Sequence, residues 1–488
     1  MKFTTYILLL FISLHSYSNT VDWNENCTNA YQAIFQFKLD KAQKIIDLEQ
    51  KNNSENVIPI FLEDYIDFFS YYVSEETIYY NKIKNNFNSK IKIIQSADKS
   101  SPYTLYCEAE IRLHYALCKL KNNEYLNAVM EVKRAHDALK ENEKKFPDFK
   151  ANLKSLGLLH TIFGAIPDKY KFGAKLLGFK GSIDQGMQEL NQVVKDKTFL
   201  FREEAVILYA FLQLHLVKQE DKAWQLIQNA NLSTSDNLLN TFVKANMAMH
   251  TGKNQLCIDI ITNQPKSSDF FPISYLDFML GTAKLQKLDS DANIYFKKYI
   301  NNFKGKSYIK EAYRKLAWHD VLINSGSNYK AYMLQCKNFS EAPTDEDKSA
   351  QREAERNTIP NKQLLKARVL MDGNYLSSAL ENINKVVFKN LANNREKLEY
   401  YYRKARIYDE LNQTANASKY YQITIDQGSK FDYYFAANAC IKLGNILEKQ
   451  NKNQSALNYY NKALQLKKDE YEDSINAEAK AGINRISG

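Results

Sequence analysis

Residues 440–464, CIKLGNILEKQNKNQSALNYYNKAL, decide how this chain folds. Small residues stand at Gly444, Ala456 and Ala463, and a large aromatic residue stands at Tyr460. Apolar residues three or four positions apart lie on one face of a helix, and a polar run separates two such stretches here. The stretch therefore predicts two short helices that cross closely at their small residues, while Tyr460 fills the gap to the next pair.

The same spacing recurs at four earlier places in the chain. The last three copies are 38 and 39 residues apart, and a period of this length is typical of stacked helix pairs. At this period about twelve pairs would use the whole chain. The matching positions are Tyr401, Ala405, Tyr408, Ala417, Tyr421 and Thr424; Ala367, Leu370, Ala379, Ile383 and Val386; Leu280, Gly281, Ala292, Phe296 and Tyr299; and Ala116, Ala128, Val132 and Ala135.

The composition agrees with an all-helical chain. Among 488 residues there are 15 glycines and 8 prolines, well under half the ordinary share of about 12%. Sandwiches, barrels and parallel α/β folds need more turn residues than this, so they are excluded. Hydrophobic residues make up 44%, which excludes wholesale disorder. We predict an all-α, right-handed superhelical solenoid of antiparallel helix pairs.

The repeated pattern resembles that of tetratricopeptide-repeat proteins, most clearly over residues 360–470. The best copies lack the early Trp and the terminal Pro of the family pattern. The resemblance implies a superhelix whose groove binds a protein or peptide partner.

The N-terminus has the pattern of a secretory signal peptide. Lys2 precedes an apolar run over 6–14, which is shorter than the roughly 20 residues that span a bilayer. Ser16 and Ser18 are small residues at the −3 and −1 positions of a cleavage site. We therefore predict that 1–18 is removed and that the chain is exported, periplasmic or secreted, and soluble or peripherally associated with the envelope.

The charges and cysteines exclude some classes of partner. The formal net charge is +10, with basic and acidic residues interspersed and no nucleic-acid motif, so we predict no nucleic-acid partner. A weak attraction to anionic membrane lipids or glycans is consistent with the cationic bias. The six cysteines include no CxxC pair, and the sequence leaves open whether any of them form a disulfide.

Residues 157–186 carry six of the fifteen glycines. A phosphate-binding loop is disfavoured, because Phe179 and Lys180 follow Gly178 where Lys and Ser or Thr are required. An amphipathic helix over 168–177 could lie in a membrane interface. The interpretation that we favour is a helix that packs on its neighbours, with the glycines allowing close approach.

The same segment also resembles the tetratricopeptide repeat protein 39 and inclusion-body-clearance family. That family has no established catalytic residues and is associated with lipid homeostasis, but its members are intracellular, unlike a chain with an export signal. The residues that carry this resemblance are Gly157, Pro167, Leu177, Gly178, Phe179, Gly181, Gly186 and Leu190.

No motif for catalysis or metal binding is present. The sequence lacks HExxH, GxSxG, GxGxxG and calcium-loop patterns. His114, Cys118 and Cys107 share a helix face with Ile111, which is typical of a buried helix seam rather than of a metal site. We predict no catalytic residue, no metal site and no cofactor, and hence a protein that is not an enzyme.

A polar segment divides the predicted array. Residues 341–360 are bounded by Pro343 and Pro360, and Thr344 followed by three acidic residues is a helix-start signal. We predict a polar, exposed connector between an N-terminal region of divergent pairs, 19–340, and a C-terminal array, 361–488.

The repeat frame also predicts which side chains line the groove. Arginine and asparagine can bind the main chain and carboxylates of a peptide, and Tyr402 can supply apolar area. Ile441 stands where a two-carboxylate clamp would need a lysine. We predict an exported, non-catalytic scaffold, with a lipid- or glycan-binding envelope protein acting through 157–186 or an aromatic groove as the alternative. The predicted binding residues are Arg368, Tyr402, Arg406, Asn438 and Asn445, with Asn361, Leu364 and Ile441 on the same wall.

Overall fold

A computed structural model describes residues 19–166 and 168–487 of the chain. Apart from two isolated bridges, Asn19–Ala97 and Thr20–Asn56, these residues form no β-structure. The helices are α1 (Glu25–Phe35), α2 (Leu39–Asn52), α3 (Ile58–Ser74), α4 (Thr77–Gln95), α5 (Pro102–Lys121), α6 (Tyr125–Lys145), α7 (Ala151–Gly164), α8 (Asp168–Leu176), α9 (Ile183–Lys195), α10 (Arg202–Leu212), α11 (Glu220–Asn229), α12 (Leu238–His250), α13 (Asn254–Thr262), α14 (Tyr275–Lys287), α15 (Ala292–Asn302), α16 (Ile309–Ile323), α17 (Tyr329–Asn338), α18 (Asp345–Arg356), α19 (Lys362–Asp372), α20 (Leu376–Asn384), α21 (Asn394–Glu410), α22 (Thr414–Gly428), α23 (Tyr434–Lys449), α24 (Asn453–Gln465) and α25 (Glu472–Ser487).

The helices pack as consecutive pairs joined by short loops. Helix α1 packs on α2, α5 on α6, α14 on α15, α21 on α22 and α23 on α24. The predicted all-α array of helix pairs is therefore confirmed. In the described part of the chain no helix is long and apolar enough to cross a bilayer.

Small and large residues interlock where helices cross. Tyr460 of α24 is fully buried. A Cβ atom added to Gly444 of α23 would lie 2.6 Å from the Tyr460 ring, and one on Gly482 of α25 would lie 2.5 Å from it. In α14, a Cβ on Gly281 would lie 3.0 Å from Phe296 of α15. The aromatic rings thus occupy space that only glycine leaves, as the repeat spacing predicts.

The glycine-rich segment packs α7 tightly on α9. A Cβ on Gly186 would stand 2.3 Å from the Gly157 carbonyl oxygen and 2.2 Å from Oγ1 of Thr161. Ser182 begins α9 by accepting a hydrogen bond from the Gln185 amide at 3.1 Å. The structure therefore agrees with the interpretation that glycines allow close helix approach. In the residues described, the segment follows a helix and not a strand, so it has no phosphate-loop architecture.

The first eight helix pairs close on themselves. The Phe271 amide donates to the Phe37 carbonyl at 2.8 Å, although more than 200 residues separate them. Lys38 pairs with Asp236 at 2.6 Å. The Glu75 carboxylate accepts from the backbone amides of Lys306 and Ser307 at 2.8 and 3.1 Å. We call this line of contacts between the corner loops of α1–α4 and residues 236–307 the seam.

The polar segment 341–360 differs from the predicted exposed connector. It contains α18, which begins at its cap Thr344 and packs on α16. Asp347 and Ala350 are fully buried, and the Glu353 carboxylate accepts from the Trp318 indole at 2.8 Å. The helix is part of the array because its polar residues are hydrogen-bonded to α16 rather than exposed to solvent. One buried apolar cluster also extends across the predicted domain boundary.

All six cysteines are buried free thiols. Cys107 and Cys118 lie in the core of α5, as predicted for a helix seam, and burial raises the pKa of Cys257 to about 12. The predicted signal peptide, 1–18, lies outside the described residues.

Candidate functional site

A cavity of about 110 Å³ lies where α16, α18, α19, α21 and α23 meet. Its walls combine apolar and charged side chains from helices that are far apart in sequence. Trp318 and Leu364 supply apolar surface, whereas four arginines and several carboxylates supply charge. We call it the arginine cavity, after Arg314, Arg356, Arg368 and Arg395.

Three of these arginines are closely paired with carboxylates. Arg356 and Arg395 both donate to Glu470, at 2.6 and 2.7 Å, which ties α18 and α21 to the loop before α25. Arg314 pairs with Glu311 at 2.5 Å and donates to the Ser349 hydroxyl at 2.8 Å. These contacts use the three guanidinium groups to hold the walls of the cavity together.

Arg368 is placed differently. Its guanidinium lies over the Trp318 ring, 4.5 Å from the ring centre, and its side chain is 23% exposed. The nearest carboxylate is that of Asp372, at 3.9 Å from Nε, beyond hydrogen-bond distance. Burial alone would lower the pKa of Arg368, but Asp372 and the surrounding Tyr and Glu side chains raise it above its ordinary value. Arg368 is therefore a charged, stacked guanidinium with donors to spare.

The structure brings together some of the predicted wall residues and separates others. Asn361, Leu364 and Arg368 line the arginine cavity. Ile441 is fully buried in α23 and faces the core. Arg406 pairs with Glu410 at 3.3 Å, one turn further along α21.

The structure corrects the prediction for Tyr402. Its side chain is 2% exposed and packs 5.6 Å from the Phe435 ring and 6.0 Å from the Tyr434 ring. It therefore supports the cavity from behind and offers no surface to a ligand. The Asn445 side chain accepts a hydrogen bond from the Tyr460 hydroxyl at 2.7 Å, so part of its polar capacity is used inside the array. Asn438 is half-buried on α23.

Several cavity residues were not predicted from the sequence. Trp318 lies on α16, and Glu470 lies before α25, more than 150 residues away. No spacing within one repeat connects them. The two unusual features, one of only three tryptophans and a run of acidic residues after α24, were the available signals.

Known proteins agree with the repeat assignment. Two tetratricopeptide-repeat family models match the chain, over residues 398–422 and 437–470. Both matches lie outside 157–186, the segment that resembles the tetratricopeptide repeat protein 39 family. No curated protein matches the chain in sequence.

Two solved structures align along most of the chain. One is the tetratricopeptide-repeat domain of P58(IPK), at 12% identity and a TM-score of 0.22, covering 86% of this chain and 96% of that one. The other is yeast Tom70, at 13% identity and a TM-score of 0.23, covering 94% and 95%. Scores this low carry no argument about shape or partners. On the family matches and the helix pairs, the chain carries tetratricopeptide repeats in its C-terminal part.

Proposed function

We propose that this chain is an exported, non-catalytic scaffold that binds a segment of a partner protein at its C-terminal groove. In this proposal, a carboxylate on the bound segment enters the arginine cavity and pairs with Arg368. The observation that carries the proposal is the Arg368 guanidinium, which faces a cavity of about 110 Å³ with no carboxylate nearer than 3.9 Å. Tetratricopeptide repeats as a class bind proteins, which fits this assignment.

The geometry suits a carboxylate. A guanidinium offers a planar fork of donors that matches a carboxylate in two parallel hydrogen bonds. Stacking on Trp318 holds this plane in place, so less side-chain freedom is lost on binding. At about 30 Å³ per water molecule, the cavity holds three or four waters, which is room for one carboxylate group.

The test begins with a defined probe. We would select heptapeptides from a random display library on the full chain, and then measure binding of the best peptide by fluorescence anisotropy. The selected peptides are expected to contain Asp or Glu, and the matching amide peptide is expected to bind more weakly. Peptides without any acidic residue would contradict the proposal.

Arg368→Ala is expected to weaken binding of the selected peptide by about tenfold to a hundredfold. A hydrogen bond to a charged group contributes about 1.5–3 kcal/mol, which corresponds to that range. Arg485→Ala is the control, because Arg485 pairs with Glu448 at 2.7 Å away from the cavity. Equal binding by Arg368→Ala and the control would remove the proposed site.

Export to the envelope is part of the proposal and is supported by the pattern of 1–18 alone. Secretion of a reporter fused after residue 18, compared with a fusion in which the apolar run carries a charge, would test it. Retention of both reporters inside the cell would contradict export.

A second candidate function, contact with an anionic lipid surface, is favoured by one patch. Leu126 on α6 and Leu176 on α8 are 85% and 73% exposed. The Lys133 side chain reaches within 3.7 Å of a Cβ position built on Gly178, so α6 and the end of α8 are neighbours. Exposed leucines beside lysines are typical of a surface that lies on a membrane.

Co-sedimentation with phosphatidylglycerol vesicles at low salt tests this second function. We expect binding that falls with added salt and is lost in the double variant Leu126→Ser/Leu176→Ser. Both residues are solvent-exposed, so the variant should fold normally. Failure of the unaltered chain to sediment would remove the lipid function and leave the peptide proposal untouched.

A further inference from the structure

A second cavity lies inside the closed N-terminal turn. It measures about 170 Å³, and apolar side chains from six different helices form its wall. These helices are α1, α3, α5, α7, α10 and α12, the first members of successive pairs. We call it the axial cavity, and its wall includes Phe35, Phe68, Leu113, Leu158, Leu208 and Leu239.

The floor of the axial cavity is ionic. Lys154 is almost completely buried, and its ammonium contacts Glu110 and Glu204, both at 2.6 Å. The Tyr31 and Tyr65 hydroxyls donate to the other oxygen of Glu204, at 3.1 and 3.0 Å. One ammonium therefore faces two carboxylates, which leaves a net charge of −1 beneath the apolar wall.

The wall also presents an unused polar atom. Nδ1 of His114 lies 2.8 Å from Asp64, and the imidazole stacks on Phe68 with ring centres 4.4 Å apart. Asp64 and Asp67 behind the ring face Lys90 and Lys82, so that cluster is balanced. The contact with Asp64 places the proton on Nδ1, and the described structure gives Nε2 no partner. A neutral His114 thus offers one acceptor at the cavity.

We infer that the axial cavity binds a small molecule that joins an apolar group to an ammonium. The apolar group would pack among the phenylalanines and leucines, and the ammonium would lie near the floor and donate to Nε2 of His114. An apolar cavity of about 150 Å³ lined by such residues is known to admit benzene, so the volume fits one ring or a short alkyl chain. The excess carboxylate disfavours an anionic ligand of the same shape. This site is independent of the arginine cavity and of the peptide proposal.

Three probes of equal size but different charge test the inference: benzylamine, benzyl alcohol and benzoate. Binding to the full chain is measured at pH 7 and low salt by saturation-transfer NMR titration. We expect benzylamine to bind at least tenfold more tightly than benzoate, with benzyl alcohol between them. Equal affinity for the three probes, or no binding of benzylamine, would overturn the inference.

Two kinds of variant locate the site. Leu208→Trp fills the cavity and is expected to abolish benzylamine binding, whereas Leu126→Trp, on an exposed position, is expected to leave it unchanged. Glu204→Gln removes the excess negative charge and is expected to reduce the preference for benzylamine over benzoate at least fivefold. Circular dichroism checks folding, and Leu158→Phe, a smaller filler, replaces Leu208→Trp if that variant unfolds. Unchanged binding in a folded filled variant would place the probe elsewhere and overturn the inference.

Discussion

Lys154→Met is expected to lower the free energy of unfolding by about 3–5 kcal/mol at pH 7. The substitution keeps most of the side-chain volume but removes the cation shared by Glu110 and Glu204, both 2.6 Å away. Two carboxylates then stay buried with one charge more than their hydroxyl partners can stabilise. Urea unfolding followed by circular dichroism measures the change.

The loss should depend on pH in a defined direction. Burial would raise the pKa of Glu110, but Lys154, His114 and Ser155 hold it below its ordinary value. In the unaltered chain this stabilisation is present above the unfolded pKa of about 4.3 and is lost as the pH falls through the lower folded pKa. In Lys154→Met the folded carboxylates have raised pKa values, so protonation relieves them. The difference between the two chains should therefore shrink from pH 7 to pH 5.

Lys133→Met is the matched control for Lys154→Met. Lys133 pairs with Asp137 at the surface of α6, and such pairs contribute about 1 kcal/mol or less. A small effect at Lys154, comparable with that at Lys133, would show that the floor of the axial cavity is not a tight ionic cluster. A difference independent of pH would show that packing rather than charge causes the loss.

Gly186→Ala is expected to cost at least about 3 kcal/mol of unfolding free energy, at the upper end for an overpacked site. The added methyl would stand 2.3 Å from the Gly157 carbonyl oxygen, and backbone cannot rotate away as a side chain can. Helices α7 and α9 must then separate, which also disturbs α10. Thermal unfolding monitored by circular dichroism reports the loss.

Gly173→Ala provides the control in the same segment. Nothing lies within 4 Å of a Cβ at Gly173, and alanine in a helix is about 1 kcal/mol more favourable than glycine. We expect unchanged or slightly higher stability. If both substitutions behaved alike, the close crossing of α7 and α9 would not explain the glycines.

Local spacing was enough to predict the helix pairs. The distance from Gly444 to Tyr460 is set within one repeat, and both residues pack as the sequence indicates. The polar helix α18 was misjudged because its composition is that of an exposed helix. Its buried partners, such as Trp318, lie outside the segment and show no sign of themselves in it.

The candidate site was only partly predictable for the same reason. Arg368 was identified because the repeat frame fixes which side of α19 faces inward. Its stacking on Trp318 and the carboxylate of Glu470 arise from contacts between distant helices, which no local period encodes. Tyr402 was placed on the wall by the frame, but the neighbouring rings of Tyr434 and Phe435 cover it.

The seam has a consequence for how the chain is made. An open array can fold pair by pair as it leaves the ribosome, because each repeat contacts only its neighbours. Here the Phe37 carbonyl and the Glu75 carboxylate wait for partners at Phe271 and Ser307. The first eight pairs therefore reach their final arrangement only after about 300 residues have been synthesised, and until then the unmatched edges are the part of the newborn chain that a chaperone would need to shield.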